Sequence, residues 1–141
     1  KYEVVITNED LQNVEATFSD KRDNDKVDFA MFGCPHFTLE EAQHIAEGVK
    51  GKKLAIPMYI LVSSHALQMA QRMGIADVLA EAGAEIIADS CPDQPCWHYL
   101  KGKVGITESP KCAYYPRRRG IHFIIRDLDT CIQAALTGEV K

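Results

Sequence analysis

The sequence lacks a long apolar stretch and has no excess of positive charge. No apolar run approaches the ~20 residues needed to span a bilayer. Its 16 Lys and Arg are outnumbered by 20 Asp and Glu, giving a net charge of −4. A mildly acidic chain is a poor candidate for binding nucleic acid or an anionic membrane. The sequence also has no GxxxxGKS/T, GxGxxG or HExxH motif, so nucleotide binding and zinc protease chemistry have no support.

The sequence shows no secretory signal pattern. It contains five cysteines, an odd number. We therefore expect reduced thiols in a cytoplasmic protein rather than disulfides. The usual role of such a cysteine is that of a small buried side chain. Each of the five therefore needs a further argument before it is given a chemical role: Cys34, Cys91, Cys96, Cys112 and Cys131.

The 141 residues are enough for one domain, and 46% of them are hydrophobic, as in ordinary globular proteins. We expect residues 1–141 to form a single α/β domain. Because the sequence begins at Lys1 without an initiator Met, we also expect this domain to be a fragment of a longer protein.

Short apolar segments alternate with helical patterns along the chain. The apolar segments predict strands over residues 2–6, 27–32, 53–62, 84–88, 104–106 and 121–126. Thr7 and Thr38 each have an acidic residue three positions later, which predicts a capped helix start at both. This alternation predicts a three-layer α/β sandwich, with a mostly parallel sheet of four to six strands and helices on both faces. Residues 90–120 are expected to form a long functional loop.

Three cysteines lie just after predicted strands. Cys34 follows 27–32, Cys91 follows 84–88, and Cys112 lies shortly after 104–106. Sites in open α/β sheets lie beyond the carboxyl ends of strands, so parallel strands would bring these thiols to one edge. Thiolates suit a soft metal such as zinc or an iron–sulfur centre, although the spacing fits neither paired CxxC motifs nor a ferredoxin. Cys131 lies on the apolar stripe of the last helix and is predicted to be core, whereas Cys96 stays unassigned.

Other polar residues near these cysteines are candidate substrate ligands. His36 follows Cys34 by two positions and is a candidate for binding a substrate carboxylate. Lys111 is a candidate for binding an anionic substrate or lowering the pKa of a thiol, and Tyr114 for lining the site. For Lys111 the alternative is an exposed side chain. The run 117–119 contains three arginines, which either bind an anion or form a solvated loop.

Several motifs in register carry a family resemblance. They are Gly-Cys-Pro-His at 33–36, Thr-Leu-Glu-Glu at 38–41, Ala-Asp-Ser-Cys at 88–91, Ser-Pro-Lys-Cys-Ala-Tyr-Tyr at 109–115, and Leu-Asp-Thr-Cys-Ile-Gln-Ala-Ala-Leu-Thr-Gly at 128–138. From Val27 to Gly138 the chain resembles the carboxyl-terminal part of the aconitase X catalytic (large) subunit. The family is much longer than this chain.

The resemblance implies a hydro-lyase that dehydrates a small hydroxy acid such as cis-3-hydroxy-L-proline or mevalonate 5-phosphate. It implies an iron–sulfur cluster or iron held by Cys34, Cys91 and Cys112. It also implies as partners the remaining large-subunit domains and a small swivelling domain or subunit. The catalytic base, a serine in the family, is expected on that swivelling domain, so no base is assigned in this chain.

Some positions depart from the family pattern. Ser90 stands where Thr is common, Tyr114 stands where His is common, and residues 93–97 differ from the usual apolar stretch. These departures leave the substrate open. Two other functions remain alternatives: a non-catalytic thiolate metal-binding module, and a plain α/β binding or interaction domain.

Overall fold

The computed structural model describes residues 2–20 and 26–140. The helices and strands follow one another as α1 (Asn8–Phe18), β1 (Phe29–Phe37), α2 (Leu39–Val49), β2 (Met58–Val62), α3 (Ser64–Arg72), α4 (Ile75–Ala82), β3 (Ala84–Ala88), β4 (Val104–Thr107), α5 (Pro110–Tyr114), β5 (His122–Ile125) and α6 (Leu128–Thr137). Two short 3₁₀ helices, Pro95–Leu100 and Tyr115–Arg119, flank β4 and α5.

The five strands form one sheet in the order β3-β2-β1-β4-β5, and every neighbouring pair is parallel. The chain winds outward from β1 through β2 to β3, then crosses back to place β4 on the other side of β1. The carboxyl ends of β1 and β4 therefore flank the point where the winding reverses, which is the usual ligand crevice of such sheets.

Helices cover both faces of the sheet, which confirms the predicted three-layer α/β sandwich. One face packs against α2, α3, α4 and α6, whose buried side chains share a core cluster with the sheet. The other face packs against shorter elements, α5 and the first 3₁₀ helix, through residues such as Trp97 and Cys112. Cys131 of α6 is fully buried, as predicted.

Local sequence signals explain where several helices begin and end. Thr7 and Thr38 both form complete capping boxes, with Asp10 and Glu41 respectively, as predicted. Each box satisfies backbone N–H groups that the first helical turn leaves without partners. Gly74 adopts φ 75° and separates α3 from α4, because this backbone conformation cannot continue a right-handed helix.

The strand predicted over residues 2–6 is wrong. This segment is not in a strand, and its apolar side chains are exposed, Tyr2 and Ile6 among them. The edge of β5, the strand that α1 contacts, is already occupied: the Asp20 N–H donates to the Phe123 carbonyl at 2.7 Å. An apolar segment without a partner strand cannot form a ladder.

Other elements also differ in their observed bounds from the predicted ones. β1 extends to Phe37, so Cys34 and His36 lie in its irregular final part rather than after it. β2 begins only at Met58, after Pro57, which cannot donate to a ladder. Besides the predicted strand β4, residues 90–120 contain the helix α5 and both 3₁₀ helices where a loop was expected. Within the described part of the chain, no helix has both the length and the apolarity needed to cross a membrane.

Candidate thiol site at the carboxyl edge of the sheet

Gly33 lets the end of β1 approach β2 very closely. It has φ +98°, and a Cβ atom added there would lie 2.0 Å from the Leu61 carbonyl oxygen. Only glycine tolerates both the backbone conformation and the contact. The next residue, Cys34, is buried and precedes a cis peptide bond to Pro35. The close approach at Gly33 thus fixes the backbone position of Cys34 at the end of β1.

Cys34, His36 and Cys91 line one open concavity of about 230 Å³. Cys91 follows β3, as predicted, and it is exposed. His36 Nε2 lies 2.7 Å from the Ser90 carbonyl oxygen. Because a carbonyl can only accept, Nε2 carries the proton of this bond, and in the neutral ring Nδ1 is an acceptor. The bond joins the end of β1 to the loop that carries Cys91.

Asp89 turns the chain between β3 and Cys91. It has φ 52°, a left-handed conformation that Asp tolerates better than most residues. Its Oδ1 accepts from the Ser64 N–H at 3.0 Å, and its own N–H donates to the Val62 carbonyl at 2.9 Å. These two bonds tie the turn to β2 and to the start of α3.

Cys112 is fully buried near the start of α5. The Ser109 hydroxyl accepts from the Cys112 N–H at 3.1 Å and donates to the Cys34 carbonyl. One buried hydroxyl therefore links the end of β1 to the first turn of α5. Sequence reasoning assigned Ser109 no role at the site, although a serine before a proline is a typical helix start.

Burial and neighbouring charges raise the pKa values of Cys34 and Cys112. Burial raises the pKa of Cys34, Cys91 raises it further, and Lys111 lowers it. Burial raises the pKa of Cys112 well above its ordinary value; the Thr107 hydroxyl opposes this, and Cys34 and Cys91 add to it. Cys34 and Cys112 are therefore protonated near neutral pH unless a cation favours their thiolates.

The described side chains that line the concavity are of the types that bind a soft metal, but they do not lie close enough together to form a metal site. Its lining contains two thiols and an imidazole but no carboxylate, which is a donor set for zinc or iron. Among residues 2–20 and 26–140, however, no three His, Cys, Asp or Glu side chains lie close enough to hold a metal ion. Cys34 and Cys91 share the concavity, whereas the Cys112 thiol is enclosed and lies 3.9 Å from the Met31 carbonyl oxygen.

Lys111 lies at the border of this site. Its side chain is close enough to Cys34 to lower the pKa of that thiol. Its Nζ lies 6.0 Å from the centre of the Tyr115 ring, within reach of a weak cation–π interaction. The ammonium group thus acts on the Cys34 thiol and also lies near the ring of Tyr115.

Tyr114 lies in a different concavity. It lines an open space of about 460 Å³ with Phe18, Tyr115, Arg117 and Arg118. Its ring packs edge-on against Phe18 at 5.3 Å. Of the three predicted substrate ligands, the structure therefore brings His36 into the concavity with Cys34 and Cys91. Lys111 acts on the charge of Cys34, and Tyr114 lines a different concavity.

Glu108 does not line the concavity, but its charge raises the pKa of Cys34 and of Cys112, a role that sequence reasoning missed. It directly follows β4, beside the central strand β1, and its Oε2 accepts from the Thr107 hydroxyl at 3.3 Å. Burial is the main cause that raises its pKa to about 7, and the negative charge of Glu41 contributes to this rise. Glutamate in a polar segment usually indicates solvent exposure, and the only contrary signal was its position at a strand end.

The fold and the cysteines at the carboxyl edge of the sheet define the class of protein: an α/β domain with cysteines at the carboxyl ends of a fully parallel sheet. Comparison with known proteins identifies the family. The model described as the aconitase X third domain matches residues 27–137, and the chain belongs to the aconitase X family.

Three relatives illustrate the similarity. The chain is 31% identical over 135 residues to a phosphomevalonate dehydratase large subunit of Thermococcus kodakarensis, covering 94% of this chain and 34% of the relative. It is 29% identical over 141 residues to a cis-3-hydroxy-L-proline dehydratase of Hypocrea jecorina, covering 92% and 22%. The crystal structure of holo aconitase X from Thermococcus kodakaraensis matches with a TM-score of 0.79 and 30% identity, covering 94% and 34%. The chain thus spans about a third or less of these relatives.

Proposed function

We propose that residues 1–141 form a single domain of an aconitase X hydro-lyase that dehydrates a small hydroxy acid. In this proposal, the thiolates of Cys34, Cys91 and Cys112 hold an iron centre, either an iron–sulfur cluster or iron alone. The observation that carries the proposal is the concavity that Cys34 shares with Cys91. Family membership supports it, as do the names of the relatives, phosphomevalonate dehydratase and cis-3-hydroxy-L-proline dehydratase.

An iron centre with three protein thiolates would supply a Lewis acid that polarises the substrate hydroxyl. The residues of this chain would bind and orient the substrate. His36 donates its Nε2 proton to the Ser90 carbonyl, which leaves Nδ1 to bind a substrate hydroxyl, or a carboxylate when the ring is protonated. Lys111 would attract the substrate's negative charge, and Tyr114 would bind from the neighbouring concavity. The base that removes the substrate proton would come from outside the chain.

Iron binding would be coupled to proton release. Burial raises the pKa of both Cys34 and Cys112, and a metal binds the thiolate rather than the thiol. Metal affinity should therefore rise with pH as these thiols lose their protons. The enclosed Cys112 would have to turn its sulfur toward the concavity when metal binds.

The proposed partners are the rest of the large subunit and a small swivelling domain or subunit. The chain covers only 34% of the phosphomevalonate dehydratase large subunit and 22% of the cis-3-hydroxy-L-proline dehydratase, which supports a larger assembly around this domain. A cytoplasmic location is also proposed. It is supported by the five free thiols of the structure, since reducing compartments preserve free cysteines.

Metal analysis tests the proposal. The chain, purified without oxygen, is compared with a Cys34→Ala, Cys91→Ala, Cys112→Ala triple variant and with Cys96→Ala. Cys96 is also exposed but does not line the concavity, so its variant is the matched control. We expect iron, measured per chain together with acid-labile sulfide, in the wild type and in the Cys96 variant but not in the triple variant.

Two outcomes would contradict the proposal. Zinc bound without iron would support the alternative of a thiolate metal-binding module. No metal in any folded variant would support a plain α/β binding domain. Thermal unfolding of each variant shows whether the protein has remained folded, so loss of metal is not confused with loss of structure.

A further inference from the structure

The loop that carries Cys91 is held by bonds to its backbone rather than to its thiol. The Cys91 carbonyl accepts from the indole Nε1–H of Trp97 at 2.9 Å and from the Gln94 N–H at 3.0 Å. Trp97 is buried and packs edge-on against the Tyr59 ring of β2 at 5.0 Å. One side of the loop is therefore anchored to the core of the sheet, while Cys91 itself stays exposed.

Asp93 anchors the other side of the same loop. Its side chain is only 13% exposed and accepts from two arginines. Arg118 donates through Nε at 3.2 Å and also through Nη2, so its fork binds both carboxylate oxygens. Arg119 donates through Nε at 2.8 Å. Two guanidinium groups and a shielded carboxylate form a charge-assisted, geometrically specific contact.

The partners of Asp93 come from the segment that follows Cys112. Arg118 and Arg119 lie in the 3₁₀ helix Tyr115–Arg119, directly after α5. The contact therefore joins the loop after β3, which carries Cys91, to the segment after β4, which carries Cys112. It bridges the two halves of the sheet winding at the edge where the thiols lie.

The arginine run is thus already engaged by the protein. Arg117 pairs with Asp20 at 2.9 Å and donates to the Thr17 carbonyl at 3.1 Å. Arg118 and Arg119 share the carboxylate of Asp93. Each guanidinium has a carboxylate partner, which favours a structural contact over an open anion site.

We propose that Asp93, held by Arg118 and Arg119, is the positioning residue that fixes the Cys91 thiol at the concavity it shares with Cys34. This inference deepens the proposed function, because it names what keeps one proposed ligand in place. The contact itself does not depend on any bound metal, so it can be tested on metal-free protein.

The test measures alkylation of Cys91 relative to Cys96 in metal-free protein. Limiting iodoacetamide is added, and the modified positions are located by mass spectrometry of the peptide that contains both thiols. Cys96 is exposed in the same molecule and is the internal reference. The variants are Asp93→Asn and Arg118→Gln; Arg118 is 69% exposed, so its change should leave the fold intact. Arg117→Gln is the matched control, because Arg117 binds Asp20 instead.

If Asp93 holds the loop, both variants free it. The Cys91-to-Cys96 ratio then rises in both by up to about threefold, because local opening removes the shielding that the wall of the concavity still gives the exposed thiol. The Arg117 variant keeps the wild-type ratio. If these residues acted on Cys91 only through their charges, the two variants would have opposite effects. Asp93→Asn removes a negative charge and would favour the Cys91 thiolate, whereas Arg118→Gln removes a positive charge and would disfavour it. Ratios that move in opposite directions, or that stay at the wild-type value, would overturn the proposal.

A second readout separates this inference from the iron centre. If the wild type binds iron, the Asp93→Asn variant should release it to a chelator several-fold faster, since a mobile ligand is lost more easily. If no iron binds to any form, the proposed function fails while the alkylation result still decides the role of Asp93. Thermal unfolding of the variants, followed by the fluorescence of the single tryptophan, confirms that each is folded.

Discussion

The partly buried carboxyl group of Glu108 should make the protein less stable as the pH rises. Its pKa rises from an ordinary 4.5 to about 7 because of burial. One pKa unit corresponds to about 1.4 kcal/mol, so ionising this carboxyl group costs the folded state up to about 3 kcal/mol. Glu108→Gln keeps the shape of the side chain but cannot ionise, and should remove this cost.

The sign follows from proton binding in the two states. At a pH below about 4.5, the carboxyl group is protonated in both the folded and the unfolded protein, and it has no effect on stability. Between pH 4.5 and about 7, the unfolded protein loses the proton first, so the folded state becomes progressively less stable. Above this range, the full cost applies. The Gln variant should therefore exceed the wild type in stability by up to about 3 kcal/mol at a pH of about 8, and by little at about 4.

Urea unfolding at these pH values measures the difference, with the fluorescence of buried Trp97 as the signal. Glu81→Gln, at an exposed position in α4, is the matched control and should change stability by less than about 0.5 kcal/mol. A Glu108→Gln variant that is no more stable than the wild type at high pH, or whose advantage is the same at low pH, would refute the reasoning.

Five further substitutions test how the site edge and the helices are built. Gly33→Ala should destabilise the protein by about 3 kcal/mol or more, since it adds a clash with β2 to backbone strain, whereas Gly51→Ala adds only strain and should cost about 1 kcal/mol. Ser109→Ala should cost about 1–3 kcal/mol, because it removes a buried hydroxyl with two partners. Thr38→Ala should cost about 1 kcal/mol in global unfolding, whereas Thr7→Ala should only loosen α1, which buries no residue.

Urea unfolding measures the changes in global stability, and amide hydrogen exchange measures the loosening of α1. Equal losses for the two glycine variants would show that the close approach of β1 to β2 relaxes easily. Wild-type stability after Ser109→Ala would remove its linking role. A global loss after Thr7→Ala as large as that after Thr38→Ala would show that α1 is part of the cooperative core.

The parts of the fold that the sequence predicted are those with a strong local signal. β3 was predicted within its observed bounds, and α2 was predicted because its capping box precedes an apolar stripe that becomes buried. Between residues 90 and 120 only the strand at 104–106 was predicted, and it is observed as β4. The helix α5 and the two 3₁₀ helices were missed, because segments of five or six residues are too short to show a period. The prediction of a strand at 2–6 was wrong because an apolar segment does not reveal whether a sheet edge is open to pair with it.

For the site, strand-end reasoning placed Cys34 and Cys91 at one edge, and the structure brings them to one concavity. It could not foresee that Cys112 is enclosed, since this depends on how α5 packs against the sheet. It also missed Glu108 and Asp93, whose surroundings are set by burial and by arginines distant in the sequence. The metal and substrate roles of these residues remain predictions for the experiments above.

The first strand of the chain, β1, is the middle strand of the sheet. Cys34 and Cys91 belong to the half built by β1, β2 and β3, whereas Cys112 follows β4 and approaches Cys34 through the pairing of Phe29 with Gly105. Pairing between residues so far apart in sequence is the slow part of folding, because the entropy of closing a long loop must be overcome first. A nascent chain that has not yet reached β4 therefore displays two of these thiols without the third, which joins this edge of the sheet only after β4 has paired with β1.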